Sequence, residues 1–254
     1  MTTLKRGMKR WSTNQIALKF SHYVNLPALP PVPKSFGHVK NDALPTPGGW
    51  GMLGNDKYGD CTVAGIAHGQ DVLDLATKKQ IPRFTDQNII DQYLALSGGV
   101  DSGLDPVAVA DYWRSPGLAD ADGSRHMITA YTAIDNPNTA ITAAYLFGFS
   151  GLGLSMPDNA EVQFDAGHTW DDITGDADPN EGHFVPLVGR NSKGDLMVVT
   201  WGRLQACSPA WIEKYFAGAI GYISQDYFLS TGLSPEGFNI AQLNADLADV
   251  TSSA

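Results

Sequence analysis

The sequence predicts an α+β fold, with helices gathered in the first half of the chain and strands in the second. Three observations lead there. Between residues 60 and 114 apolar side chains recur at helical spacing, whereas between 126 and 224 they come in short runs bounded by Gly, Pro and Asn. The two patterns follow one another and do not alternate, as a parallel α/β sheet would require. The composition, 43% hydrophobic and 17% charged over 254 residues, is globular and gives enough chain for a sizeable core.

The chain begins with a basic arm. Residues 1–40 hold seven Lys and Arg and no Asp or Glu, so the other 214 residues carry ten basic against 27 acidic side chains. Such an arm can lie on its own acidic body, on an acidic partner or on a phosphate backbone, or stand solvated as a tail. Six prolines, from Pro27 to Pro47, make residues 25–47 an extended, irregular lead-in. Residues 60–79 read as a helix with a buried face through Val63, Ile66, Ala67, Val72, Leu73 and Leu75. Asp60 is its expected N-cap, which puts Cys61 at the first helical position. Helices follow at 86–96, at 105–114 behind the cap Asp105 and Pro106, and at 137–147. Strands are expected at 126–134, 149–156, 183–189 and 195–201, then a helix at 208–217 and a strand at 219–224. The expected layout is therefore an arm over 1–47 and a domain over 48–225. Its helical lobe spans about 48–120 and its β-rich lobe about 121–225, with a cleft between them. A small, polar tail covers 226–254.

Several function classes are excluded or disfavoured. No run reaches the roughly 20 apolar residues that a membrane-spanning helix needs. No apolar segment follows the basic N-terminus within the usual window, so no secretory signal is expected, and the chain reads as cytoplasmic or virion-associated. Cys61 and Cys207 cannot make a disulfide framework. A net charge of −10 argues against a general nucleic-acid binder. Phosphate-binding, dinucleotide and HExxH patterns are absent, and no cofactor or metal is expected. Residues 157–182 carry eight Asp and Glu and no Lys or Arg, but lack the spacing of a calcium loop.

The chemistry concentrates in Gly54–Gly69, which reads GNDKYGDCTVAGIAHG. A thiol at a helix N-terminus meets the positive end of the helix dipole and unclaimed N–H groups, both of which favour the nucleophilic thiolate. Gly59 lets the chain turn before the helix, and Asn55 offers a side-chain donor that, with the Cys61 N–H, would make an oxyanion hole. Asp60 works against this, since its carboxylate raises the cost of a neighbouring thiolate. A buried, inert helix-start cysteine is the alternative. The second stretch, GHFVPLVGRNSKGDLMVVTWG over 182–202, opens with His183 at the start of an apolar strand and ends in Thr200-Trp201-Gly202. The acidic loop ahead of His183 is expected to raise its pKa and favour cationic substrates. His168 and Trp170 in that loop are placed either to line a cleft or to pin the loop.

Over roughly 48–225 the sequence resembles the papain-like cysteine peptidases. Their nucleophile segment, Q-G-x-C-G-S-C-W, has an oxyanion Gln six residues before the Cys, and here Asn55 precedes Cys61 by six. Their Gly-His strand is resembled by Gly182-His183 through Gly189, their mid-chain GG segment by 98–118, and their closing N-S-W-G by Val199-Thr200-Trp201-Gly202. The resemblance implies Cys61 as nucleophile, His183 as base and Asn55 as oxyanion donor, with Gly59, Asp60, Thr200 and Trp201 around the cleft. Thr62 stands where the family has Trp, and Val199 falls on its imidazole-orienting Asn. The G-N-D-x-x-G-D-C variant is similar to bacterial and phage proteins. Two functions follow: a thiol hydrolase cutting peptide or protein substrates through an acyl-enzyme, or a non-catalytic structural or binding module, such as a virion component, attached to protein partners through residues 1–47.

Overall fold

The computed structural model describes residues 4–20, 31–39, 44, 49–180, 182–227 and 234. Most of the expected C-terminal tail, and much of the proline-rich lead-in, lies outside the described residues.

Helix α1 (Cys61–Thr77) is the central element, and every residue from Cys61 to Asp74 is buried. A helix covered on all sides is a core helix and not a surface one. Small residues let its neighbours approach: Gly65 faces the Phe184 ring and Gly69 the Phe149 ring. Around it stand α2 (Asp86–Ser97), started by a Thr85–Asn88 capping box, and α3 (Pro106–Arg114), whose cap Asp105 accepts from the Val107 N–H. Helix α4 (Pro137–Phe147) is capped by Asn136.

The strands form a seven-stranded sheet in the order β4 (Ala130–Ile134), β9 (Phe216–Ile223), β5 (Ser150–Ser155), β6 (Gly182–Arg190), β7 (Leu196–Thr200) and β8 (Arg203–Cys207). The two-residue strand β1 (Phe36–Gly37), from the lead-in, joins the far end of β6. All pairings are antiparallel. Successive side chains on a strand point to opposite faces. Accordingly Val185 and Leu187 join the cluster with Trp170, Trp211 and Tyr215, while Phe184 and Val188 join the one around α1. The sheet thus separates two apolar cores, with α1 against one face.

Three departures from the sequence reading have physical causes. The run 126–134 is split, because His126 pairs with Leu118 in a separate hairpin of β2 (Leu118–Ala119) and β3 (Arg125–His126). Helix α5 (Asn159–Asp165) lies inside the acidic loop and is too short to show a period. Strand β8 alternates polar and apolar residues too weakly to be expected from the sequence, whereas α6 (Pro209–Tyr215) lies within the expected 208–217 helix, behind a Ser208 cap. Among the described residues no helix is long and apolar enough to cross a membrane.

Candidate active site

Cys61 is the first residue of α1 and is 1% exposed. Asp60 occupies the N-cap position but makes no capping hydrogen bond, so the expected cap is absent and the first-turn amides are not claimed by that side chain. Instead Asp60 is buried, and burial pushes its carboxyl up to about 8. Burial thus favours the neutral carboxyl near neutral pH and weakens the like-charge objection to a thiolate at Cys61, although the Asp60 charge still counts among the causes that raise the thiol.

His183 comes from β6, and it lines one small cavity together with Cys61, Asn55, Thr200 and Trp201. At about 10 Å³ the cavity holds at most a water. The His183 Nε2 lies 2.7 Å from the Thr200 hydroxyl, and its Nδ1 has no partner among the described residues. The Trp201 ring stacks on the imidazole at 4.5 Å between centroids and 22° between planes. Trp201 adopts φ 45°, so the chain bends sharply after β7 to put the indole there. The Asn55 amide donates to the Tyr58 carbonyl at 3.2 Å.

Thr200, not Val199, holds the ring, and the strand register explains why. Leu187 pairs with Val198 but Gly189 pairs with Met197, so β6 carries one extra residue at Val188. Continuing from Leu187–Val198 puts Thr200 opposite Val185 and diagonal to His183, on the same face. Without the bulge that parity would belong to Val199, which instead joins the core around α1.

Two electrostatic expectations are overturned. The thiol is pushed up to about 12, chiefly by burial, although backbone hydrogen bonds from Phe184, Gly7 and Met8 work the other way. The imidazole is pushed down to about 3 by burial and then by the positive charge of Arg6, not up by the acidic loop. Both groups are neutral in this state. His68, on α1 in the same cavity, was not singled out from the sequence. Its Nε2 donates to the Trp50 carbonyl at 2.9 Å, and burial lowers it to about 4. Trp170 pins the acidic loop, donating to the Ala160 carbonyl and stacking on Trp211.

No family model and no curated protein matches the chain. Solved structures do. Xylellain, a cysteine protease from Xylella fastidiosa, superposes with a TM-score of 0.61 at 14% identity over 88% of this chain and 97% of that one. Procathepsin B from Trypanosoma congolense gives 0.59 at 12% over 86% of each chain. A digestive procathepsin L from Tenebrio molitor gives 0.58 at 13% over 87% and 76%. The fold is papain-like. Cys61 opens α1, His183 is the second residue of β6, and both line the same small cavity.

The basic arm is what closes that cleft. The Lys5 N–H donates to the Asn55 carbonyl at 3.1 Å, and the Lys5 carbonyl accepts from the Trp201 indole at 3.1 Å. The Met8 N–H donates to Gly182 at 3.0 Å, the Lys9 N–H to Leu104 at 2.9 Å, and the Leu104 N–H donates back to Gly7 at 2.9 Å. Residues Leu4–Arg10 are thus hydrogen-bonded to both lobes directly over Cys61. Of the open placements for the arm, these residues take the one on its own body. The sequence carried one signal of this: Gly7 among four basic residues.

Proposed function

We propose that this chain is a papain-type cysteine peptidase, latent while Leu4–Arg10 fills its cleft. The observation that carries the reading is that His183 and Cys61 line one small cavity, with Nε2 beside the Thr200 hydroxyl and Nδ1 without a partner among the described residues. A ring that donates from Nε2 to the Thr200 oxygen carries its lone pair on Nδ1, the tautomer a base needs. Nδ1 takes the thiol proton as Cys61 attacks a peptide carbonyl. The Cys61 N–H and the Asn55 amide stabilise the oxyanion. His183 returns the proton to the leaving amine, and a water activated by the same ring hydrolyses the acyl-enzyme. Burial is the first cause of both pKa shifts, so admitting water lowers the thiol and raises the imidazole towards each other.

The second reading keeps the groove and discards the chemistry: a non-catalytic binding or structural module. It is favoured by the neutral Cys61 and His183 of this state. An assembly role through the arm is harder to support, because residues 4–10 engaged in their own cleft are not available to a partner. The test is a chain lacking residues 1–10, incubated with unfolded protein substrates. The peptidase reading expects cleavage that Cys61→Ala abolishes. A correctly folded, truncated chain that cuts nothing contradicts it and leaves the binding module.

A further inference from the structure

The segment in the cleft also discloses what the cleft selects. Gly7 rests on Gly59 so closely that a Cβ added at Gly7 would run into the Gly59 carbonyl, and one added at Gly103 would run into the Gly7 carbonyl. Both walls are tethered by hydrogen bonds. The Gly59 N–H donates to Asp101 Oδ1 at 2.9 Å, the Tyr93 hydroxyl donates to the same oxygen at 2.7 Å, and the Gly103 N–H donates to the Tyr93 oxygen at 2.8 Å. The Tyr93–Asp101 pair thus hydrogen-bonds to both backbones that flank Gly7. Immediately before this slot, the Arg6 side chain is only 8% exposed and pairs with Glu161 at 2.9 Å, while Arg10 reaches Asn180 at 2.9 Å. Beside the segment the groove stays open, with about 430 Å³ bounded by Gly59, Asp101, Gly103, Asn180 and Gly182.

We infer that the cleft recognises extended peptides carrying an Arg-Gly pair, with the glycine between Gly59 and Gly103 and the arginine on Glu161, and that Leu4–Arg10 is its built-in ligand. Backbone pairing with Leu104 and Gly182 accepts any extended peptide. The discrimination comes from the glycine slot and the Glu161 pair. Calling the ligand a substrate rests on the peptidase reading; the recognition itself does not.

The test uses the full-length chain. Gly7→Ala, which unseats the segment, should raise the rate of Cys61 labelling by a thiol reagent about 100-fold, with buried Cys207 as the internal reference. Arg6→Glu should do the same, and Arg6→Glu with Glu161→Arg should restore protection, which covers the case that Gly7→Ala does not fold. In the Gly7→Ala, Cys61→Ala background, a labelled peptide Leu-Lys-Arg-Gly-Met-Lys-Arg should bind about 10- to 100-fold more tightly than the same peptide with Ala for Gly. Equal binding of the two peptides, or unchanged labelling in both single variants, overturns the inference. Selective binding by a chain that never cleaves the peptide would sink the peptidase reading and leave this one standing.

Discussion

Thr200→Val tests the orientation of the imidazole. Valine keeps the shape and removes one hydroxyl, 2.7 Å from His183 Nε2, where Thr200 is 3% and His183 1% exposed. Val offers Nε2 no acceptor, and leaving it buried and unsatisfied costs about 1–3 kcal/mol. Urea denaturation of the intact chain should therefore show a loss of about 2 kcal/mol. The Trp201 stack still holds the ring on one side, so the chemistry is weakened and not lost. If the same energy is lost in the transition state, turnover by the chain lacking residues 1–10 should fall about 10- to 100-fold. Thr200→Ser, which keeps the hydroxyl, should recover most of both. A Thr200→Val chain with unchanged stability and turnover would refute the assignment of Thr200 as the orienting residue.

Three further outcomes are expected. Asn55→Ala should lower turnover by about 10²–10³ while leaving peptide binding nearly intact, measured as a change in kcat at constant KM. Gly69→Ala drives a methyl into the Phe149 ring and should destabilise the fold by about 1–3 kcal/mol in the same urea assay. Stability should also decline from pH 6.5 to 8. Asp60, raised to about 8, holds a proton in the folded chain that the unfolded chain has already released above about pH 4, so its contribution is lost as pH rises through 8. His68 and His183, lowered to about 4 and about 3, act the other way, but only below about pH 6.5, where the unfolded chain takes up protons that the folded one refuses. Asp60→Asn should flatten the alkaline decline by about 2 kcal/mol, read from denaturation at the two pH values.

The parts of the site that were legible in the sequence are those set by local pattern. A cysteine after Gly-Asp at the head of a long apolar period, and a histidine opening a fully buried strand, could be read without coordinates. So could the helix start at Asp105, because a cap acts on its own next turn. What could not be read depends on pairing between distant segments. The bulge at Val188 changes which side of β7 meets His183, and no property of Val199 or Thr200 alone announces it. Likewise the charge of the arm was plain, but its seat on Gly59 and Gly103 depends on a backbone contact across the cleft. The pKa values of Cys61 and His183 turned out opposite to expectation for the same reason, since the covering segment that dries the cavity lies over 50 residues from the nucleophile.

The account stands on Cys61 becoming a nucleophile driven by His183 once the segment leaves. The most direct measurement is the rate at which an epoxide inhibitor forms an adduct at Cys61 near pH 7, followed by mass spectrometry in the chain lacking residues 1–10 and in the same chain with His183→Ala. Rapid modification of Cys61 that slows at least about 100-fold without the imidazole is the expected result. Equal, slow modification in both chains would contradict it.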